Sequence, residues 1–131
     1  MVKLPGLDKE FNWGSERSLY KTQIKPMAAA AGAHIIRLEN QLYPGTPDCW
    51  ACREGKSYWI ELKNHNGILS EDQVDFMKKL YDRCIRMYVV KGGKNDKDEW
   101  QIAVYFYDGK DVKMLFRFIK VMKFSNIFPL L

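Results

Sequence analysis

Asp48, Glu61 and Lys63 are the residues whose types and spacing point most directly to chemistry. Residues 48–52 and 57–63 suit two strands, the second rich in aromatic and aliphatic side chains, joined by the polar bend Arg53-Glu54-Gly55-Lys56. With Glu54-Gly55 as a two-residue hairpin loop, Arg53 faces Lys56 and residue 48 lies across from residue 61. Lys63 then points to the same face as Glu61, and Leu62 to the other. A loop two residues longer slides the pairs but keeps the faces. Two carboxylates facing each other across a ladder repel. A hard divalent cation reverses that sign, because carboxylate oxygens are the ligands Mg²⁺ prefers. The plainer account is a solvated face on which Lys63 screens both acids.

The ordered set Gly45-Thr46-Pro47-Asp48, Trp59-Ile60-Glu61-Leu62-Lys63, Gly67-Ile68-Leu69-Ser70 and Gln73 resembles the PD-(D/E)XK nuclease superfamily. Within it the look is closest to stand-alone VRR-Nuc nucleases, related to Holliday-junction resolvases, over roughly residues 14 to 91. The resemblance implies a restriction-endonuclease-like α/β fold: a mixed central sheet flanked by helices in the order α-β-β-β-α-β. It implies a divalent-metal-dependent DNA endonuclease, with branched, flap or junction DNA among its expected substrates. A homodimer placing one site on each of two strands, in a bacterial or phage-infected cytosol, belongs to the same expectation. Asp48 and Glu61 are then the main ligands of Mg²⁺ or Mn²⁺, and the Leu62 carbonyl a further one. An acid on the first helix reaches the metal in such resolvases; Glu16 matches by order and position, with Glu10 as the fallback. Gln73 falls at the edge of the active site. Lys63 orients the attacking water or holds the phosphate, and stabilises charge built up in the transition state. A DNA-binding module that keeps the fold without cutting is the alternative, and a non-enzymatic interaction protein a third reading.

The elements that must position these residues follow in order. Residues 1–14 read as irregular and mobile. Ser15 caps a helix from about Glu16 to Ala31, ending near Gly32 and kinked or divided by Pro26. Ala33 to Glu39 reads as the first strand, and the loop 40–47 carries Pro44-Gly45 to Asp48. Trp50 meets Trp59 across the hairpin, an aromatic packing pair. Ser70 and Gln73 stand in capping-box spacing at the start of a helix to about Cys84, with Val74, Met77, Leu80, Tyr81 and Cys84 on its buried side. Residues 86–91 form a fourth strand, parallel to the third because a helix joins them. Gly92 to Asp98 reads as a mobile loop and Trp100 to Tyr107 as a fifth strand. Val112, Leu115, Phe116, Ile119 and Met122 fall at helical spacing, so the predicted extension is β-α. The apolar tail from Phe124 to Leu131 must dock on its own core or on a second subunit.

At 131 residues the whole chain, 1–131, reads as one nuclease domain. Its 21 Lys and Arg against 16 Asp and Glu favour an anionic partner, nucleic acid being the commonest. Three cysteines argue against a disulfide framework. Cys49 and Cys52, three apart on a strand, point to opposite faces, which argues against zinc. No stretch is long and apolar enough to span a bilayer.

Overall fold

A computed structural model describes residues 2–38, 43–120 and 125–131. Among these residues six strands form one mixed sheet in sequence order: β1 (His34–Arg37), β2 (Cys49–Arg53), β3 (Lys56–Asn64), β4 (Arg86–Lys94), β5 (Trp100–Tyr107) and β6 (Val112–Lys120). Only β3 and β4 run parallel; their crossover is helix α3 (Glu71–Asp82). This is the expected α-β-β-β-α-β core.

The hairpin register follows from its loop. Glu54 and Gly55 both have positive φ, the conformation a two-residue turn of this hand requires, and Arg53 pairs with Lys56 and Trp50 with Trp59 as read from the sequence. Side chains of β3 therefore alternate between two cores. Tyr58, Ile60 and Leu62 enter one of them, under the first helical segment. Trp59 packs at the other, with Val89 and Tyr105 and with Met77 of α3.

The first helical segment is α1 (Glu16–Leu19), a π-helical turn (Tyr20–Ile24) and α2 (Lys25–Ala30). Pro26, which has no amide proton to donate, sits at the start of α2, directly after the π turn, so the chain absorbs the missing bond by widening one turn.

Three expectations are corrected, and the alternative left open for the tail is decided. The predicted C-terminal helix is β6, so the extension is β-β. Along Val112–Ile119 half-buried and exposed residues alternate strictly, and Leu115 and Ile119, counted on the apolar helical stripe, are 42% and 37% exposed. A bulge between Phe116 and Met114 hands the half-buried side chains from one core to the other. Met122 lies outside the described residues, as do Glu39 and residues 40–42. The first residues do not wander: Val2 bridges to Leu69 and Trp13 to Lys94, while Leu4 and Phe11 are buried. Gly92 to Lys94 continue β4, paired with Ile102, Gln101 and Trp100 of β5, and Leu19 lies so close to Gly92 that a Cβ there would collide with it. Finally, the tail docks on its own core, where Ile127 and Phe128 are buried and the Asn126 amide donates to the Met27 carbonyl. Among the described residues, no helix is long and apolar enough to cross a membrane.

Candidate metal centre

The site forms where β2 and β3 stop pairing. Their ladder ends at Cys49–Ile60, and the next inward donor on β3, the Leu62 N–H, is taken by the side chain of Asp48 (N···Oδ2 2.8 Å). Asp48 thus stands in for a strand carbonyl, in the gap between strands rather than simply on one face. Its own carbonyl accepts from the Leu38 N–H at 2.7 Å, fixing the backbone. The preceding turn lies on the first turn of α3, where a Cβ on Gly45 would strike the Asp72 carbonyl; Gly45 also has φ +82°. In an extended strand a residue's N–H and C=O leave on the same side, so the Leu62 carbonyl also points toward Asp48.

Glu61 is 3% exposed. Its Oε2 accepts from the Gln73 amide at 2.9 Å and lies 3.5 Å from the Lys63 ammonium. Its Oε1 is buried with no hydrogen-bond partner. Glu16, in the first turn of α1 behind the Ser15 cap, brings a third carboxylate; one oxygen from each of Glu16, Asp48 and Glu61 lies within 4.8 Å of the others. The helix bearing Glu16 covers one core and the helix bearing Gln73 the other, so groups from both layers meet in the gap.

Three carboxylates this close strain one another electrostatically. Burial, then the charge of Asp48 and a hydrogen bond the protonated carboxyl can make to it, push the Glu61 carboxyl up to about 8, with Lys63 pulling the other way. Burial and Asp48 also raise Glu16, against Lys63 and Arg37. The donor set is all oxygen and net negative, with a buried acceptor left unsatisfied, which suits a hard cation.

Gln73 ties the site together. Its carbonyl oxygen accepts from the Ser70 N–H (2.9 Å) and from Lys63 Nζ (3.0 Å), while its amide donates to Glu61. The capping box and the site therefore share one side chain. Gly67 lies over Lys63; a Cβ there would come within 2.6 Å of the lysine Cβ.

Asp48, Glu61, Lys63, Gln73 and Glu16 are thus brought together, and the Leu62 backbone with them. Glu10 is outside the carboxylate group. Cys49, buried in the core, and Cys52 are free. Two residues escaped sequence reasoning. Arg37, over the Tyr20 ring at 5.2 Å, acts on Glu16. Lys91, beside Lys63 in the β3–β4 register, is 4% exposed and donates to the Gly67 carbonyl at 3.4 Å. The alternation Met87, Val89, Lys91 was the available signal for the second, since it places that lysine on the Lys63 face.

No protein-family model matches the chain, and no curated protein does. Among solved structures the chain is similar to Hjc, a Holliday junction resolvase from the archaeal hyperthermophile Archaeoglobus fulgidus. The two are 21% identical with a TM-score of 0.47, over 65% of this chain and 74% of that chain. At that distance the reading of the site rests on its own geometry.

Proposed function

We propose that the chain, as one domain, is a divalent-metal-dependent endonuclease that hydrolyses phosphodiester bonds in DNA. The observation that carries this reading is the buried Glu61 with an unsatisfied oxygen, facing two carboxylates from other elements and flanked by an ordered lysine. A structural ion pair needs one acid; this arrangement gathers three carboxylates, with Lys63 beside Glu61 and Arg37 acting on Glu16.

Asp48, Glu61 and Glu16 would hold Mg²⁺ or Mn²⁺, with the Leu62 carbonyl as a neutral fourth oxygen. Such an ion, when bound, makes a water acidic enough to attack at neutral pH and draws charge from the phosphate. Lys63 supplies a cation and three donors beside it, which orient the water or hold a phosphate oxygen and stabilise the charge of the transition state. Gln73 acts through Glu61 and Lys63, holding both at once.

The motif resemblance extends the proposal to branched, flap or junction DNA, cut in the cytosol by a homodimer with one site per strand. The self-docked tail leaves the dimer without the support that an exposed tail would lend.

The test is cleavage of linear duplex, flap and four-way-junction DNA with Mg²⁺, Mn²⁺ or EDTA. The reading predicts metal-dependent cutting that Lys63→Ala and Glu61→Ala abolish. DNA binding without cutting by the wild type would favour a binding module and overturn it.

A further inference from the structure

The loop that delivers Asp48 also carries Tyr43, which is 57% exposed. Its ring meets Phe76 of α3 edge-on at 5.9 Å, and Phe76 meets Trp59 at 6.3 Å. An aromatic row therefore leads from the strand of Glu61 to the surface. Beside it is a cleft of about 250 Å³ lined by Tyr43, Phe76, Lys79, Leu80 and Arg83. Its walls are apolar and its rim is cationic. Lys79 donates to the Tyr43 hydroxyl at 3.4 Å, its ammonium 5.9 Å from the ring centre, and the Arg83 guanidinium donates to the Lys79 carbonyl. Lys79 and Arg83 are like charges one helical turn apart, which is unfavourable by itself. Among the described residues neither forms an ion pair. An anion would relieve them.

An apolar cleft with an exposed tyrosine and two unneutralised cations matches an unstacked base and its phosphate: the ring stacks, the cations hold the backbone. The volume is below the roughly 300–1,000 Å³ of sites for drug-sized ligands, a size that suits one base. The position fits as well. Gln73 touches the site, and at about 1.5 Å rise per residue Lys79 lies about 9 Å farther along α3. That is two or three nucleotides of a stacked strand at about 3.4 Å each.

We infer that the cleft between Tyr43 and α3 is a subsite for one unpaired DNA base, close to the phosphate that is cut. The inference rests on the nuclease reading. It gives a physical source for a preference for DNA that is not fully paired.

The experiment measures binding by fluorescence anisotropy in EDTA, so that nothing is cut. The probes are a fully paired duplex and the same duplex with one unpaired fluorescent adenine analogue. Wild type should bind the second probe more tightly and quench its base. Tyr43→Ala should lose about tenfold on that probe, one stacked base being worth about 1–3 kcal/mol, and change within twofold on the paired one. Tyr43→Phe should retain the preference. Lys79→Ala with Arg83→Ala should weaken both probes and flatten the salt dependence by about two contacts. Mn²⁺ binding to Tyr43→Ala, measured by calorimetry, should equal wild type, which checks that Asp48 has not moved. Equal losses on both probes, or none, would overturn the subsite. If wild type cuts with Mg²⁺ while Tyr43→Ala keeps the preference, the subsite fails and the nuclease reading stands. If wild type neither cuts nor binds DNA, the nuclease reading has failed first.

Discussion

The two sides of β3 carry opposite kinds of residue within the four-residue run Ile60 to Lys63. Ile60 and Leu62 face a dry core under α1 and α2, and both are fully buried. Glu61 and Lys63 face the α3 side, where Lys91 and Gln101 are also buried. One side gains free energy from removing apolar surface from water. The other spends part of it, holding a buried carboxylate with an unmatched oxygen beside two further acids. Alternation along a strand is what lets one segment do both, because a side chain's partners are set by its parity. The lesson is that the charged residues form a polar strip beside a second apolar core on the α3 side, and that a bound cation would change the balance.

The comparison breaks most sharply at Asp48. Asp48→Asn keeps an oxygen to accept from Leu62 but removes the charge, so cutting should fall by about a thousandfold while the melting temperature barely moves. Cleavage kinetics beside a thermal melt check this. Leu62→Ala should do the converse on the dry side: a loss of about 2–5 kcal/mol in urea unfolding, with metal binding retained below the transition.

Glu61→Gln sharpens the contrast, because here the functional residue should be the destabilising one. The ordinary carboxyl value is 4.5 and the folded value about 8. Below 4.5 the group is protonated in both states and costs nothing. As pH rises toward 8 the unfolded state gives up its proton while the folded state keeps it, so metal-free wild type should lose stability across that window and level off above it. Glu61→Gln removes that dependence and should be more stable than wild type above pH 8, by up to about 5 kcal/mol. Because the ligand must be deprotonated, metal affinity of the wild type should rise over the same range. Melting curves from pH 4 to 9 in EDTA decide between this and a pH-independent pair. The smallest effect is at the shared cap: Ser70→Ala should cost about 1 kcal/mol and leave the Gln73 bonds to Glu61 and Lys63 in place, so cutting should persist.

Much of this was legible in the sequence wherever contacts are local. The Glu54-Gly55 turn sets the register, the register sets parity, and parity puts Glu61 and Lys63 together. The Ser70 to Gln73 spacing marks a helix start whose glutamine necessarily sits beside the end of β3. What was not legible depends on distant partners. Residues 112–119 fit both a helical stripe and an alternating strand, since Val112 and Phe116 belong to either pattern, and only pairing with β5 decides. The N-terminal segment has no period of its own and is ordered by bridges to Leu69 and Lys94. The exact setting of Asp48, bonded to a strand amide instead of merely facing Glu61, follows from where two strands part.

The central claim is that the acid cluster is built for a cation. Calorimetric titration of Mn²⁺ into metal-free protein above pH 8, wild type beside Glu61→Gln, tests it most directly. The account predicts one saturable site in the wild type, lost in a variant that melts at a higher temperature. Equal binding by both proteins, or none by the wild type, would contradict it.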